Sequence, residues 1–109
     1  IAAKLGYAPA QNNVGNCYFD GIGVMRSPQL AFGWYKLAAE QSHTTAQYNL
    51  GYCFEKGYGC EKVSLKEAIK YYHLAAIKGN RKAIIAIRKF PKNLANYNKE
   101  AASNNNLAQ

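Results

Sequence analysis

Three cysteines, two histidines and two glycine-flanked turns are the groups in this chain whose types and spacing could do chemistry. A thiol acts as nucleophile or metal ligand when a cation, helix start or metal lowers its pKa. His43 lies beside an expected helix start and His73 on a basic, tyrosine-rich helix, and no Cys or carboxylate stands at metal-ligand spacing to either. Gly21-Ile22-Gly23 and Gly57-Tyr58-Gly59 would cradle a phosphate only with a strand before them and a Lys-Ser/Thr pair after, and they have neither. Ser, Cys and His form no nucleophile set. The sequence therefore implies a chain that is not an enzyme, with no catalytic residue, no metal ligand and no cofactor. Cys17 and Cys53 are expected to be buried free thiols, with Cys60 in a turn. The odd number of cysteines suits a reducing, cytoplasmic compartment.

These groups must be held by something folded. The chain has 109 residues, 49% apolar and 13% aromatic, enough for about one domain and too rich for a disordered linker. No run of about 18 apolar residues could cross a bilayer as a helix, and the first residues resemble no signal peptide. The charge is uneven. Residues 1–61 hold four cations and four anions, whereas ten cations after Glu61 face only Glu67 and Glu100. Lys62, Lys66 and Lys70 recur at a four-residue step, and Arg81, Lys82, Arg88 and Lys89 follow. This basic surface could meet an acidic protein, an anionic membrane or a nucleic acid, or simply be solvated. No nucleic-acid module signature accompanies it.

Internal repetition is the dominant signal. Ala10, Gln11, Asn13, Gly15, Cys17, Gly21 and Gly23 return 36 residues later as Ala46, Gln47, Asn49, Gly51, Cys53, Gly57 and Gly59. Ser27, Ala31, Tyr35, Leu37, Ala38 and Ala39 return 37 later as Ser64, Ala68, Tyr72, Leu74, Ala75 and Ala76. The apolar steps of three and four within each unit are helical, so each unit reads as a helix pair. Pro9 and Pro28 suit first turns, Ser27 caps, Ser64 with Glu67 forms a capping box, and Thr44 with Gln47 forms a weaker one. Gly21 and Gly57 stop the first helices. Gly15 and Gly51 lie mid-helix at a cost of about 1 kcal/mol each, which close approach of Trp34/Tyr35 and Tyr71/Tyr72 would offset, with Trp34 expected near Gly15 and Tyr71 near Gly51. The fold class is all-α, a superhelical solenoid of antiparallel pairs. Residues 1–9 read as the closing helix of a preceding unit, 10–45 and 46–82 as full units, 83–102 as a partial cap and 103–109 as a polar tail. On that reading Ile1 begins inside a unit of a longer array.

The pattern Val14-Gly15-Asn16-Cys17-Tyr18, Gly21-Ile22-Gly23-Val24, then Ala31-Phe32-Gly33-Trp34-Tyr35-Lys36-Leu37-Ala38-Ala39 resembles the Sel-1-like repeat, a relative of the tetratricopeptide repeat. The second copy reads Leu50-Gly51-Tyr52-Cys53-Phe54, Gly57-Tyr58-Gly59-Cys60 and Ala68-Ile69-Lys70-Tyr71-Tyr72-His73-Leu74-Ala75-Ala76. The resemblance implies a scaffold or adaptor that assembles complexes in signalling or protein quality control, and such repeats also occur beside catalytic domains such as kinases. A secreted branch of the family carries Cys where Ala39 and Gln47 stand here, and has been linked to beta-lactam hydrolysis. This chain lacks both those cysteines and a Ser-x-x-Lys set.

In relatives of this fold the first helices line a concave face. The register-matched residues there would be Asn13 and Asn49, then Asn16 and Tyr52, then Asp20 and Lys56. Asn amides can pair with an extended peptide backbone and Tyr52 can pack on a side chain, so a protein or peptide partner, with acidic character favoured by the later lysines, is the expected ligand. These residues are otherwise solvated polar positions.

Overall fold

The computed structural model describes residues 3–90. It contains five helices, α1 (Ala8–Asp20), α2 (Pro28–Glu40), α3 (Thr44–Lys56), α4 (Leu65–Ile77) and α5 (Arg81–Arg88), and no strand among the described residues. Each helix packs on the next in chain order, so the chain zigzags between a layer of first helices (α1, α3, α5) and a layer of second helices (α2, α4).

Local chemistry sets the ends. Gly21 and Gly57 terminate α1 and α3 in left-handed backbone at φ 72° and 78°. The Ser27 and Ser64 hydroxyls each accept the backbone N–H three residues on, at 3.2 Å. Such caps are worth about 1 kcal/mol each. Ser64 forms only half of the expected capping box, because its own N–H donates to the Phe54 carbonyl. Thr44 caps nothing. It is the first helical residue, His43 precedes it without a side-chain cap, and Gln47 instead donates to the Ala39 carbonyl at 3.5 Å. Gln11 makes the matching bond to the Ala3 carbonyl at 3.2 Å, so both buried glutamines hold the start of a first helix to the chain eight residues upstream. A feature absent from the sequence reading closes the series: the Asn80 side chain caps α5 through the Ala83 N–H at 2.8 Å.

The core is small-residue packing around buried tyrosines. Ala31, Ala38, Ala46, Leu50, Ala68, Tyr72 and Ala75 are fully buried. A Cβ built on Gly15 would stand 2.7 Å from the ring of Tyr35, and one on Gly51 would stand 2.8 Å from that of Tyr72. The notch fillers are thus Tyr35 and Tyr72, while Trp34 and Tyr71 stay half-buried one residue away. One residue is about 100° of helical rotation, so only one member of each aromatic pair can face the glycine. Tyr71 stacks on Phe54 instead, with centroids 6.0 Å apart.

Residues 3–6 form a turn. α5 ends at Arg88, three residues before Pro91, with tightening bonds from the Lys89 N–H to the Ala86 carbonyl and from the Phe90 N–H to the Ile87 carbonyl. The remainder of the expected cap, with Leu94, Tyr97, Ala101 and Ala102, and the tail at 103–109 lie outside the described residues.

Two glycines give opposite expectations. Gly51→Ala should lower stability by about 1–2 kcal/mol in urea unfolding, because overpacking against a ring outweighs the gain in helix propensity. Gly33→Ala, in α2 with nothing within 4 Å, should raise stability by up to about 1 kcal/mol.

Candidate interaction face

The first helices present their side chains next to one another. Asn49 on α3 reaches back to α1, donating from Nδ2 to Asn12 Oδ1 at 2.9 Å and, more loosely, to Asn16 Oδ1 at 3.5 Å. Asn16 Oδ1 also accepts the Tyr35 hydroxyl at 2.7 Å. The expected ladder therefore divides. Asn16 and Asn49 are half-buried and already bonded within the protein, whereas Asn13, Asp20 and Lys56 are exposed. A short amide set against a neighbouring helix finds a partner there before it meets solvent.

Tyr52 belongs to an aromatic run that sequence reading found only in part. It lies edge-on to Phe19 at 6.4 Å, tilted against Tyr58 at 5.9 Å and stacked with Tyr48 at 6.4 Å. Phe19 meets Tyr58 at 5.3 Å, and Tyr48 meets Tyr72 at 5.5 Å. All but Tyr72 are half-buried. Burial raises the Tyr48 phenol above its ordinary pKa, with Tyr52 and Glu55 adding to the shift. Tyr48 and Phe19 have no identical counterpart at the repeat offset, which is why self-similarity did not select them.

Glu55 is the second residue the sequence did not select. Its side chain is 11% exposed. Oε1 accepts the Tyr72 hydroxyl at 2.6 Å, and Oε2 stands 3.6 Å from both Lys56 and Lys89. At the matched position in the first unit stands Phe19, so a carboxylate in an otherwise aromatic column was the available signal. Tyr35 and Tyr72, equivalent in the notches, thus find different acceptors. Burial is the chief cause raising both phenols well above the usual range, and for Tyr72 the bond to Glu55 adds to it.

The basic residues are spread over the α3–α4 connection, α4, and α5 with its C-cap. Lys62 precedes α4 and lies outside the helix, so it does not continue the Lys66 and Lys70 step. Lys62 instead lines a 390 Å³ recess with Phe32, Lys36 and Phe54. Lys70 lies over the Tyr71 ring at 5.1 Å. Around α5, Arg81 and Arg88 line a recess with Ile84 and Ile85, and Lys82 and the C-cap Lys89 line an adjoining 290 Å³ groove with Tyr48, Ile85 and Ala86.

The cysteines are unbridged; Cys53 is buried as expected, whereas Cys17 is only half-buried. Burial pushes the Cys53 thiol up to about 12, with Cys60 contributing, and the Cys60 thiol donates to the Lys62 carbonyl at 3.3 Å and more weakly to that of Cys53 at 3.5 Å. His43 is lowered, by burial first and then by Lys78, whose ammonium donates to the Ser42 carbonyl at 2.7 Å and the Gln47 amide oxygen at 3.3 Å. No cluster of three metal-binding side chains occurs among the described residues.

Repeating pairs with this geometry have a family signature, and the Sel1 repeat model matches residues 8–43 and 44–80. The chain belongs to the Sel1 repeat family. It is 36% identical over 88 residues to chitin synthase regulatory factor 3 of Schizosaccharomyces pombe, covering 79% of this chain and 9% of that protein. It is 42% identical over 94 residues to DAP3-binding cell death enhancer 1 of Rattus norvegicus, covering 83% and 17%. A crystal structure of a Sel1 repeat protein from Oxalobacter formigenes superposes with a TM-score of 0.78 at 39% identity, covering 81% of this chain and 65% of that one. The chain therefore spans only a small part of these curated relatives.

Two outcomes follow for the Sel1 pairs. Asn49→Ala should cost about 1 kcal/mol by removing the α1–α3 bond, whereas Asn13→Ala should change stability by less than about 0.5 kcal/mol, both read by urea unfolding. Stability should also fall in alkali. Cys53, Tyr35 and Tyr72 have raised pKa values in the folded state, so their protonated forms stabilise it fully below their unfolded pKa values. That contribution is lost as pH rises through about 9–10 and beyond, where unfolded thiols and phenols ionise first. A falling urea midpoint above pH 9, flattened in Cys53→Ala and Tyr72→Phe, is the expected record.

Proposed function

We propose that this chain is a non-enzymatic interaction module, a scaffold or adaptor segment that holds a peptide or protein partner along the α1–α3–α5 face. The observation that most supports this reading is the contiguous half-buried aromatic run Phe19, Tyr58, Tyr52 and Tyr48. Rings on a helical layer offer large contact area at low conformational-entropy cost, and the exposed Asn13, Asp20 and Lys56 beside them supply a polar rim. Helices α1 and α3 hold Phe19, Tyr48 and Tyr52 in place before a partner arrives, and Tyr58 packs on them from the turn after α3, which limits the ordering cost of binding. The names of relatives point the same way, since one is described as binding another protein and others as regulators of chitin synthase. The cytoplasm is the proposed compartment, on the cysteine pattern.

The test is a random-peptide display selection against the folded chain, with binders mapped by amide and side-chain chemical shifts. Shifts concentrated on Phe19, Tyr48, Tyr52 and Tyr58 are expected. Selected binders that perturb α2 and α4 instead, or a selection that enriches nothing, would overturn the proposal.

A further inference from the structure

Where α3 meets α5, the aromatic run ends in a groove whose chemistry is more specific than the rest. Tyr48 from α3 and Ile85 and Ala86 from α5 make its apolar lining, and Lys82 and Lys89 stand at its rim. Ile85 is 61% exposed, a large aliphatic side chain left open between two cations. Lys82 and Lys89 are seven residues apart, so their backbone origins are about 10 Å apart along the helix. A polyproline-II chain advances about 3.1 Å per residue with three residues per turn, which places side chains three positions apart on one face at nearly the same separation.

We infer that this groove binds an acidic peptide, with two carboxylates about three residues apart on Lys82 and Lys89 and an apolar side chain between them on Ile85 and Tyr48. The inference rests on the peptide-binding reading of the α1–α3–α5 face and names its ligand class. Charge complementarity selects the occupant. Residues 91–109 of the chain itself carry Lys92 and Lys99 against Glu100 alone, so they offer no pair of carboxylates. A nucleic acid fits less well. Tyr48 is already set against Tyr52 and Tyr72 instead of offering a free face on which a base could stack. A peptide carboxylate can take the outer side of Lys89 while Glu55 keeps the inner one, because an ammonium has three donors.

The probe is a short fluorescein-labelled peptide carrying two glutamates three positions apart around a leucine, titrated against the full chain by fluorescence anisotropy. Replacing both glutamates with glutamine in the peptide, or making Lys82→Gln/Lys89→Gln in the protein, should each weaken binding by about tenfold or more. Ile85→Ala should weaken it several-fold. Lys66→Gln/Lys70→Gln removes the same charge elsewhere and should leave affinity within about twofold. All five side chains are exposed, and a thermal melt of each variant confirms the fold. Equal losses from the two lysine pairs would overturn the inference, as would tighter binding of a single-stranded oligonucleotide through Lys82 and Lys89. Displayed peptides that map to the aromatic face without enrichment in Asp and Glu would sink the acidic ligand and leave the interaction face standing. Peptides that map to α2 and α4 would sink the face itself.

Discussion

The fold depends on a tyrosine ring lying where a side chain would otherwise be. Gly15 and Gly51 remove one Cβ each from the middle of α1 and α3, and Tyr35 and Tyr72 occupy the space. Glycine there costs about 1 kcal/mol of helix propensity, and full burial of a large side chain contributes about 1.5–3 kcal/mol in the other direction, so the contact is favourable on balance. It also sets how closely the two layers approach. The alanines Ala31, Ala38, Ala68 and Ala75 on the second helices serve the same end, being fully buried and too small to hold the layers apart.

A ring fixed in that way carries its hydroxyl to a fixed place, and the two repeats then differ. Tyr35 meets the Asn16 amide, which also receives Asn49, so the first repeat is tied to the second through neutral groups. Tyr72 meets the Glu55 carboxylate, which lies near Lys89, so the second repeat is tied to α5 through charge. The same packing rule thus yields an amide-lined junction at one end and a charged one at the other. At the α5 end, Arg88 follows Ile87 where Gly51 follows Leu50 in the repeat alignment, and α5 carries no notch. Polarity along the face follows from these few substitutions within a repeating frame.

Much of this was legible in the sequence because repeats make residue roles comparable. Glycines that end helices, serines that cap them and alanines that pack were visible as identities at a fixed offset, and the family resemblance agreed with them. What was not legible depended on rotation about a helix axis by a single residue. Tyr35 and Tyr72 could not be separated from Trp34 and Tyr71 by type alone, and Asn16 and Asn49 could not be known to bond internally without the distance between α1 and α3. Gln11 and Gln47 were visible as an identity at the repeat offset but not as buried braces, since a long amide can reach a carbonyl eight residues away only once the turn is folded. Residues unique to one repeat, such as Tyr48 and Glu55, fell outside a reading based on self-similarity, and they are the ones that differentiate the face.

The most direct measurement of the central contact is nuclear Overhauser spectroscopy on the folded chain, read at the α-protons of the two mid-helix glycines. The account predicts cross-peaks from Gly15 to the ring of Tyr35 and from Gly51 to the ring of Tyr72, with one α-proton of each glycine displaced by ring current. Cross-peaks to Trp34 and Tyr71 in their place, or glycine α-protons at ordinary helical shifts with no aromatic neighbour, would contradict it.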